Sequence, residues 1–274
     1  MLRALTLPTV LLTCSLAAIP DPVAPDPKTP RPIDAVASIW MEDLTWMEIR
    51  DQMQSGTDTV IVATGGVEQN GPYLITNKHQ VVLRGTMEAI ARKLGKALVA
   101  PLVAFVPEGD IDPPSLHMKY PGTISLTEAT YQALLTDICA SLKTSGFKRI
   151  ILLGDSGGNQ AGMKLVAEQL NAAWGGKPKI VLIPEYYQFY TNATKWAEAQ
   201  GIQQVPEGLH DDYVMTAQML SVDPKSVRME QRIKAGKFTI NGVDLAPAAK
   251  TIEFGRKVID YRATETVKLI KERG

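Results

Sequence analysis

Cysteine and histidine are scarce in this chain. Its 274 residues include two cysteines and three histidines. Cys14 falls in the N-terminal segment, so Cys139 has no partner for an internal disulfide and a disulfide-stapled fold is excluded. We expect Cys139 to lie on the apolar side of a helix as a small buried hydrophobic residue.

An excess of charge of either sign is also missing. Lys plus Arg and Asp plus Glu number 29 each. Without a net field, binding to nucleic acid or to an anionic membrane is not expected. The partner that we expect instead is a small-molecule substrate in a pocket.

A long apolar run is found at the N-terminus. A short basic start, residues 1–3, is followed by apolar or small residues up to position 18. This run is shorter than the roughly 20 apolar residues of a membrane-spanning helix. We predict a signal peptide over residues 1–18 and a periplasmic or secreted protein. Thr13 makes a poor lipoprotein motif before Cys14, so membrane anchoring through Cys14 is the less favoured alternative.

Residues 19–34 are rich in proline and predict an extended linker, which leaves one folded domain over residues 35–274. In that domain, apolar strand-like runs alternate with segments of helical periodicity. The predicted strands are 59–64, 97–106, 149–154 and 179–184, and the predicted helices are 45–53, 80–94, 125–145, 160–174 and 248–271. Such βα winding predicts a mainly parallel sheet covered by helices on both faces, with ligands at the carboxyl ends of the strands.

The loop after the third strand, Gly154 to Gly158, has the sequence of the nucleophile loop of trypsin-like serine proteases. That loop belongs to an all-β double barrel, so the predicted α/β winding excludes this class. Asp155 either serves an active site or caps the helix that begins near residue 160. Ser156 is either a substrate contact or a small residue that suits a tight turn.

Four blocks of sequence resemble the creatininase (creatinine amidohydrolase) family. They are residues 42–46, 65–72, 117–126 and 157–159, in the order and at the spacing of the family. The resemblance implies a three-layer α/β/α fold, usually in an oligomer. It also implies a zinc- or manganese-dependent site that opens cyclic amides or cleaves related C–N bonds.

Four positions of the family's metal-site motifs carry other residues in this chain: Asn70, His79, Ser156 and Met215. Glu68 and His210 are retained. The residue at position 79 corresponds to an aspartate that bridges two metals in the family. A neutral imidazole cannot bridge two cations as a carboxylate does, so we expect one ion at most.

The resemblance places Glu68 and His79 in the metal site. We predict that both bind one divalent ion, zinc or otherwise manganese, because imidazole and carboxylate are normal zinc ligands. An open coordination position would allow a bound water to be activated near neutral pH. Asp155, Asp211 or His210 would complete the coordination.

His210 is also the predicted proton shuttle, since an imidazole with a pKa near ~6.5 exchanges protons close to neutral pH. Asp155, Asp211 or Asp212 would orient its ring. The other residues predicted at the site are a pocket histidine, two polar substrate contacts and an aromatic wall: His117, Asn70, Ser156 and Tyr186.

These residues predict an exported, metal-assisted hydrolase, in a homo-oligomer, that acts on an amide, cyclic amide or related C–N bond of a small polar molecule. Two other functions stay open. The loss of ligands also fits a catalytically inactive fold used for binding. Alternatively, Ser156 is a nucleophile with His117 or His210 as its base and no metal is needed.

Overall fold

The computed structural model describes residues 25–274. A four-stranded parallel sheet lies at its centre, with the order β2-β1-β3-β4. Its strands are β1 (Thr59–Thr64), β2 (Ala97–Val99), β3 (Arg149–Gly154) and β4 (Lys179–Leu182). The two short strands β5 (Thr239–Ile240) and β6 (Val243–Asp244) form a separate antiparallel hairpin.

Eight α-helices accompany the strands. They are α1 (Trp46–Gln54), α2 (Lys78–Leu94), α3 (Glu128–Ser145), α4 (Gln160–Trp174), α5 (Glu185–Ala199), α6 (Tyr213–Val222), α7 (Met229–Lys234) and α8 (Ala248–Arg273) among residues 25–274. None of the helices in this part of the chain combines the length and the apolar composition that crossing a membrane requires.

Residues Val36–Gly274 form one compact unit, and residues 25–35 contain no helix or strand. The predicted signal peptide, Cys14 and the first residues of the predicted linker lie outside the described part of the chain.

Alternation along the strands builds a core on each face of the sheet. Val60 and Val62 of β1 pack with helices α3 and α4, whereas Ile61 and Ala63 pack with α2, α5 and α8. Successive strand side chains point to opposite faces, so a strand buried on both sides reads as a continuous apolar run. Fully burying one such aliphatic side chain stabilises the fold by roughly 1.5–3 kcal/mol. These two cores produce the three layers.

Local sequence features account for several of these elements, and the predicted burial of Cys139 is confirmed. Thr45 caps α1 in a capping box with Glu48. Asn241 and Gly242 both have positive φ in the turn between β5 and β6, as a two-residue hairpin requires. Cys139 is fully buried between α3 and the sheet.

Three local predictions were wrong. The strand expected over residues 97–106 ends at Val99, because Pro101 has no N–H to continue the ladder. Helix α3 is capped by Thr127, while the Ser125 hydroxyl accepts from Glu108 N and donates to Gly109 O. The strand expected over residues 179–184 ends at Leu182, and the aromatic residues that follow it lie in α5, which begins at Glu185.

Burial predicts the chemistry of Cys139, because it raises the pKa of the thiol to about 12. In a Cys14→Ser variant, the folded protein should not react with a disulfide reagent at pH 8, since thiolate is the reactive form. Unfolding in urea should release one reactive thiol. Rapid labelling of the folded protein, followed by absorbance, would contradict this placement of Cys139.

Candidate active site

The loops that follow β1 and β3 meet at the carboxyl edge of the sheet and form the floor of a cavity of about 1180 Å³. Glu68 comes from the first loop and Asp155 from the second. His79 lies in the first turn of α2, and His117 lies in a 3-10 helix, Leu116–Lys119. His210 precedes α6 and completes the set from the opposite side.

Glu68 is the centre of the site. Its Oε1 lies 2.7 Å from Lys78 Nζ, 2.9 Å from His79 Nε2 and 3.0 Å from His210 Nε2. Its Oε2 lies 3.2 Å from His117 Nε2. Burial alone raises the pKa of Glu68, but the hydrogen bonds from His210 and His79 and the charge of Lys78 outweigh it and lower the pKa. Glu68 is therefore an ionised carboxylate surrounded by four nitrogen groups.

His79 is held between two carboxylates. Its Nδ1 lies 2.9 Å from Asp155 Oδ2, on the opposite side of the ring from Glu68. Burial and the charge of Lys78 lower the pKa of His79, but the hydrogen bonds to Asp155 and Glu68 raise it overall. The ring is thereby fixed in orientation at both nitrogens.

Arg262 of α8 anchors Asp155 from below. Its Nη2 donates to Asp155 Oδ1 at 2.8 Å, and its Nη1 donates to Gln218 Oε1 at 3.0 Å. The guanidinium also lies 4.5 Å from the ring centre of Tyr186. Burial raises the pKa of Asp155, and the charge of Arg262 together with the His79 hydrogen bond lowers it overall. A line of contacts thus runs from α8 through Asp155 and His79 to Glu68.

Glu108 is a further buried acid at the cavity floor. Its Oε1 is buried and has no hydrogen-bond partner. Burial and the nearby charge of Glu68 raise its pKa to about 7. The Glu108 side chain can lie here because residue 66 is glycine. A Cβ on residue 66 would lie 1.7 Å from Glu108 Oε1. An unpaired buried carboxyl oxygen is costly unless a proton or a cation reaches it.

Two groups of side chains could hold a metal ion among residues 25–274. One consists of Glu68, His79 and Glu108, and the other of Glu68, His117 and His210. The ligand atoms within each group lie within 4.8 Å of one another. Both are imidazole and carboxylate sets of three, which suit zinc with one position left open. The residues present therefore fit a divalent ion.

Comparison with known proteins agrees with this architecture. The family model described as creatininase, creatinine amidohydrolase, matches residues 42–270. The chain belongs to the creatininase family. Creatinine amidohydrolase of Pseudomonas putida is 24% identical over 221 residues, which cover 77% of this chain and 82% of the relative. A 3-dehydro-scyllo-inosose hydrolase of Thermotoga maritima is 23% identical over 192 residues, which cover 70% of this chain and 58% of that protein.

Solved creatininases have the same fold. A crystal structure of creatinine amidohydrolase aligns with a TM-score of 0.65 at 22% identity, covering 86% of this chain and 98% of the other. A manganese creatininase and a mutant of Zn-Zn type align at 0.63 and 0.64, with 22% and 20% identity and the same coverage. The predicted creatininase-like three-layer fold is confirmed.

Seven of the residues predicted from the creatininase resemblance line this one cavity: Glu68, His79, His117, Asp155, Ser156, His210 and Asp211. Asn70, Tyr186 and Asp212 do not line it. Asn70 is buried and its amide donates to Glu68 O and Ile75 O, so it shapes the loop that carries Glu68. Tyr186 is fully buried, with its hydroxyl bonded to Thr86.

The predicted orienting carboxylates contact other groups than His210. Asp155 holds His79 and does not cap α4. Asp211 faces the buried Arg232, with 3.7 Å between Oδ2 and Nη2. Asp212 caps α6 by accepting from Met215 N, and it also accepts from the Tyr190 hydroxyl.

Ser156 lies at the cavity floor without a histidine base. Its hydroxyl accepts from Gly158 N at 3.3 Å and caps a short 3-10 helix, Gly157–Asn159. Within residues 25–274, no histidine nitrogen is hydrogen-bonded to this hydroxyl. In this structure the Ser156 hydroxyl makes a local contact within the turn.

Sequence reasoning missed three residues of the site: Lys78, Glu108 and Arg262. Lys78 directly precedes His79 at the start of a helix, and Glu108 lies two residues beyond the strand predicted over residues 97–106, so both positions were available signals. Arg262 had none, because it is one of many charged residues along a long helix. Arg262 reaches Asp155 only because α8 packs against the sheet.

Removing the Arg262 charge should destabilise the protein strongly. Arg262→Gln leaves Asp155 as a buried carboxylate without its cation, and breaking such a pair typically costs roughly 3–5 kcal/mol. Arg262→Lys should fall between this variant and the parent, because an ammonium cannot hold both Asp155 and Gln218 as the fork does. Urea denaturation followed by circular dichroism measures both.

The matched control is Arg256→Gln, an exposed arginine on the same helix. Its free energy of unfolding should stay within roughly 0.5 kcal/mol of the parent. Equal denaturation midpoints for Arg262→Gln and Arg256→Gln would show that Asp155 does not depend on the guanidinium.

Proposed function

We propose that this protein is an exported hydrolase that uses one divalent metal ion to cleave an amide, a cyclic amide or a related C–N bond. The observation that carries the proposal is the buried, unpaired Oε1 of Glu108 beside Glu68 and His79. This oxygen supplies a third donor in place of Asp155, Asp211 or His210, which the sequence analysis had proposed for that position. Zinc is the ion best suited to one imidazole and two carboxylates, and manganese is the alternative.

Ring orientation favours this set over the one with His117 and His210. A ligating histidine almost always has its second nitrogen bonded to a carboxylate or a carbonyl. His79 has that bond, to Asp155, whereas Nδ1 of His117 is buried without a partner. His79 is therefore the better prepared ligand.

Charge balance supports a single ion. Asp155 and Arg262 cancel each other, and Lys78 neutralises one of the two carboxylates Glu68 and Glu108. One divalent ion would leave a small positive excess at the floor, while two would leave several uncompensated positive charges in a buried place. Such a charge would be costly at this depth.

A metal bound there would polarise the substrate carbonyl or lower the pKa of a water. The chain's own residues supply the rest. Lys78 and the histidines keep Glu68 ionised, and Asp155 keeps the His79 ring in place. Glu68, His79 and Glu108 are buried at the floor, and burial strengthens these electrostatic contacts.

His210 is placed to move the proton. Its side chain is 45% exposed, and its Nε2 lies 3.0 Å from Glu68 Oε1. The ring is therefore in contact both with solvent and with the buried carboxylate. During hydrolysis the attacking water must lose a proton and the departing nitrogen must gain one as the C–N bond breaks. His210 would accept the first proton and deliver the second.

Two features of the proposal rest on sequence alone. Export is supported by the signal-peptide pattern of residues 1–18, and a homo-oligomer by the family resemblance. A small-molecule substrate is supported by the enclosed floor of the cavity.

Metal content tests the ligand set. The parent should bind one equivalent of zinc in equilibrium dialysis, and Glu68→Gln, His79→Ala and Glu108→Gln should each weaken binding by at least roughly 10-fold, the smallest loss usual even for outer contacts. The matched control Glu128→Gln removes an exposed acid that lines the same cavity and should bind zinc like the parent.

A different pattern would relocate or remove the ion. Weakening by His117→Ala and His210→Ala, with Glu108→Gln unchanged, would move the metal to the other set. Two equivalents would refute a single ion. No zinc retained by the parent would contradict metal assistance.

Turnover tests the roles of His210 and Ser156 once screening of lactams, cyclic ureides and N-substituted amides supplies a substrate. His210→Ala should lower kcat by roughly 10²–10⁴, the usual effect of losing general acid–base catalysis, while zinc stays bound. Ser156→Ala should keep most of the activity. Stoichiometric labelling of Ser156 by a phosphonate would instead support the serine nucleophile.

A further inference from the structure

The outer part of the cavity carries a group of apolar side chains beside the exposed acids Asp110, Asp112 and Glu128, whereas the floor is charged and buried. Four large apolar side chains line the outer part while remaining open to solvent: Ile111 (52% exposed), Leu116 (71%), Leu209 (44%) and Tyr187 (39%). We call these four residues the apolar rim. Exposed apolar side chains that gather at a cavity mark a surface that a ligand covers.

Hydrogen bonds between Ser115 and Asp110 fix the loop that exposes Leu116. The Ser115 hydroxyl donates to Asp110 Oδ2 and accepts from Asp110 N, both at 2.8 Å, and Ser115 N donates to Asp110 O at 3.1 Å. Leu116 has a φ of 45°, a left-handed conformation that is unfavourable for a non-glycine residue. A strained backbone that keeps a leucine in solvent needs a reason beyond folding.

The rim and the floor are parts of one site. Leu116 directly precedes His117, whose Nε2 lies 3.2 Å from Glu68 Oε2. Leu209 directly precedes His210, whose Nε2 lies 3.0 Å from Glu68 Oε1. Two of the four rim side chains therefore come from the same short segments that deliver histidines to Glu68.

The size of the cavity agrees with a ligand that reaches from the floor to the rim. Its volume of about 1180 Å³ exceeds the range of roughly 300–1,000 Å³ for pockets that enclose a drug-sized molecule. A small lactam held at the floor would leave the rim uncovered.

We propose that the substrate is an amide that carries an apolar arm of several carbons. The C–N bond meets Glu68, Lys78 and His210 at the floor, and the arm covers the apolar rim. This inference rests on the proposed hydrolase function and replaces the small polar substrate expected from the sequence.

Binding to metal-free protein tests the arm separately from catalysis. Calorimetry with N-ethyl-, N-butyl-, N-hexyl- and N-octylacetamide should show tighter binding along the series. Each methylene that leaves water corresponds to roughly three- to fourfold in Kd. Turnover of the same amides by the zinc-loaded enzyme is measured in parallel.

Leu116→Asn tests the rim with little change to the loop, because asparagine tolerates a left-handed φ and is similar in size to leucine. Ile111→Thr gives a second, independent change. Both should flatten the dependence of Kd on chain length. The matched control is Ile233→Ser, which removes an exposed isoleucine of α7 that does not line the cavity.

The outcomes separate the two proposals. A Kd that does not fall with chain length overturns the apolar arm, whether or not an amide is hydrolysed. A Kd that falls in the parent, with no turnover of any amide, supports the rim and contradicts the hydrolase. If Leu116→Asn dissociates an oligomer in sedimentation experiments and leaves the chain-length dependence unchanged, the rim is a subunit contact and the proposal is wrong.

Discussion

The site depends on one run of buried contacts, from Arg262 through Asp155 and His79 to Glu68. Each of these groups would be expensive to bury alone, and each is stabilised by its neighbour. The run joins the C-terminal helix to the loops that follow the first and third strands of the sheet. The final helix is therefore part of the active site as well as part of the core.

The same residues include one of the positions at which this chain differs from the family's metal-site motifs. His79 stands where the resemblance places a bridging carboxylate, and an imidazole there removes one negative charge from the floor. Lys78, the residue before it in the chain, adds a positive charge, and Glu108 supplies a carboxylate from a different loop. These altered charges are the reason for proposing a single ion.

The cavity divides recognition from chemistry. Its floor is built from buried charged groups that hydrogen-bond one another. The apolar rim consists of side chains that are exposed to solvent. Electrostatic interactions are stronger where charged groups are buried away from water. Apolar side chains contribute to binding when a ligand removes their surface from water. A substrate that meets both parts would align its reactive bond through contacts remote from it.

The sequence by itself determined the layers of the fold, most helix and strand positions and the placement of Glu68, His79 and His210 at one site. Strand alternation and helix periodicity are local properties, and the family motifs lie within short segments. Tertiary structure alone decided that Asp155 serves His79, that Tyr186 lies under Arg262, and that Glu108 faces Glu68. His79 and Asp155 are 76 residues apart in the chain, and Arg262 and Asp155 are 107 apart. No local pattern records such pairs, because only the packing of α8 and the loops around the parallel sheet brings them within hydrogen-bonding distance.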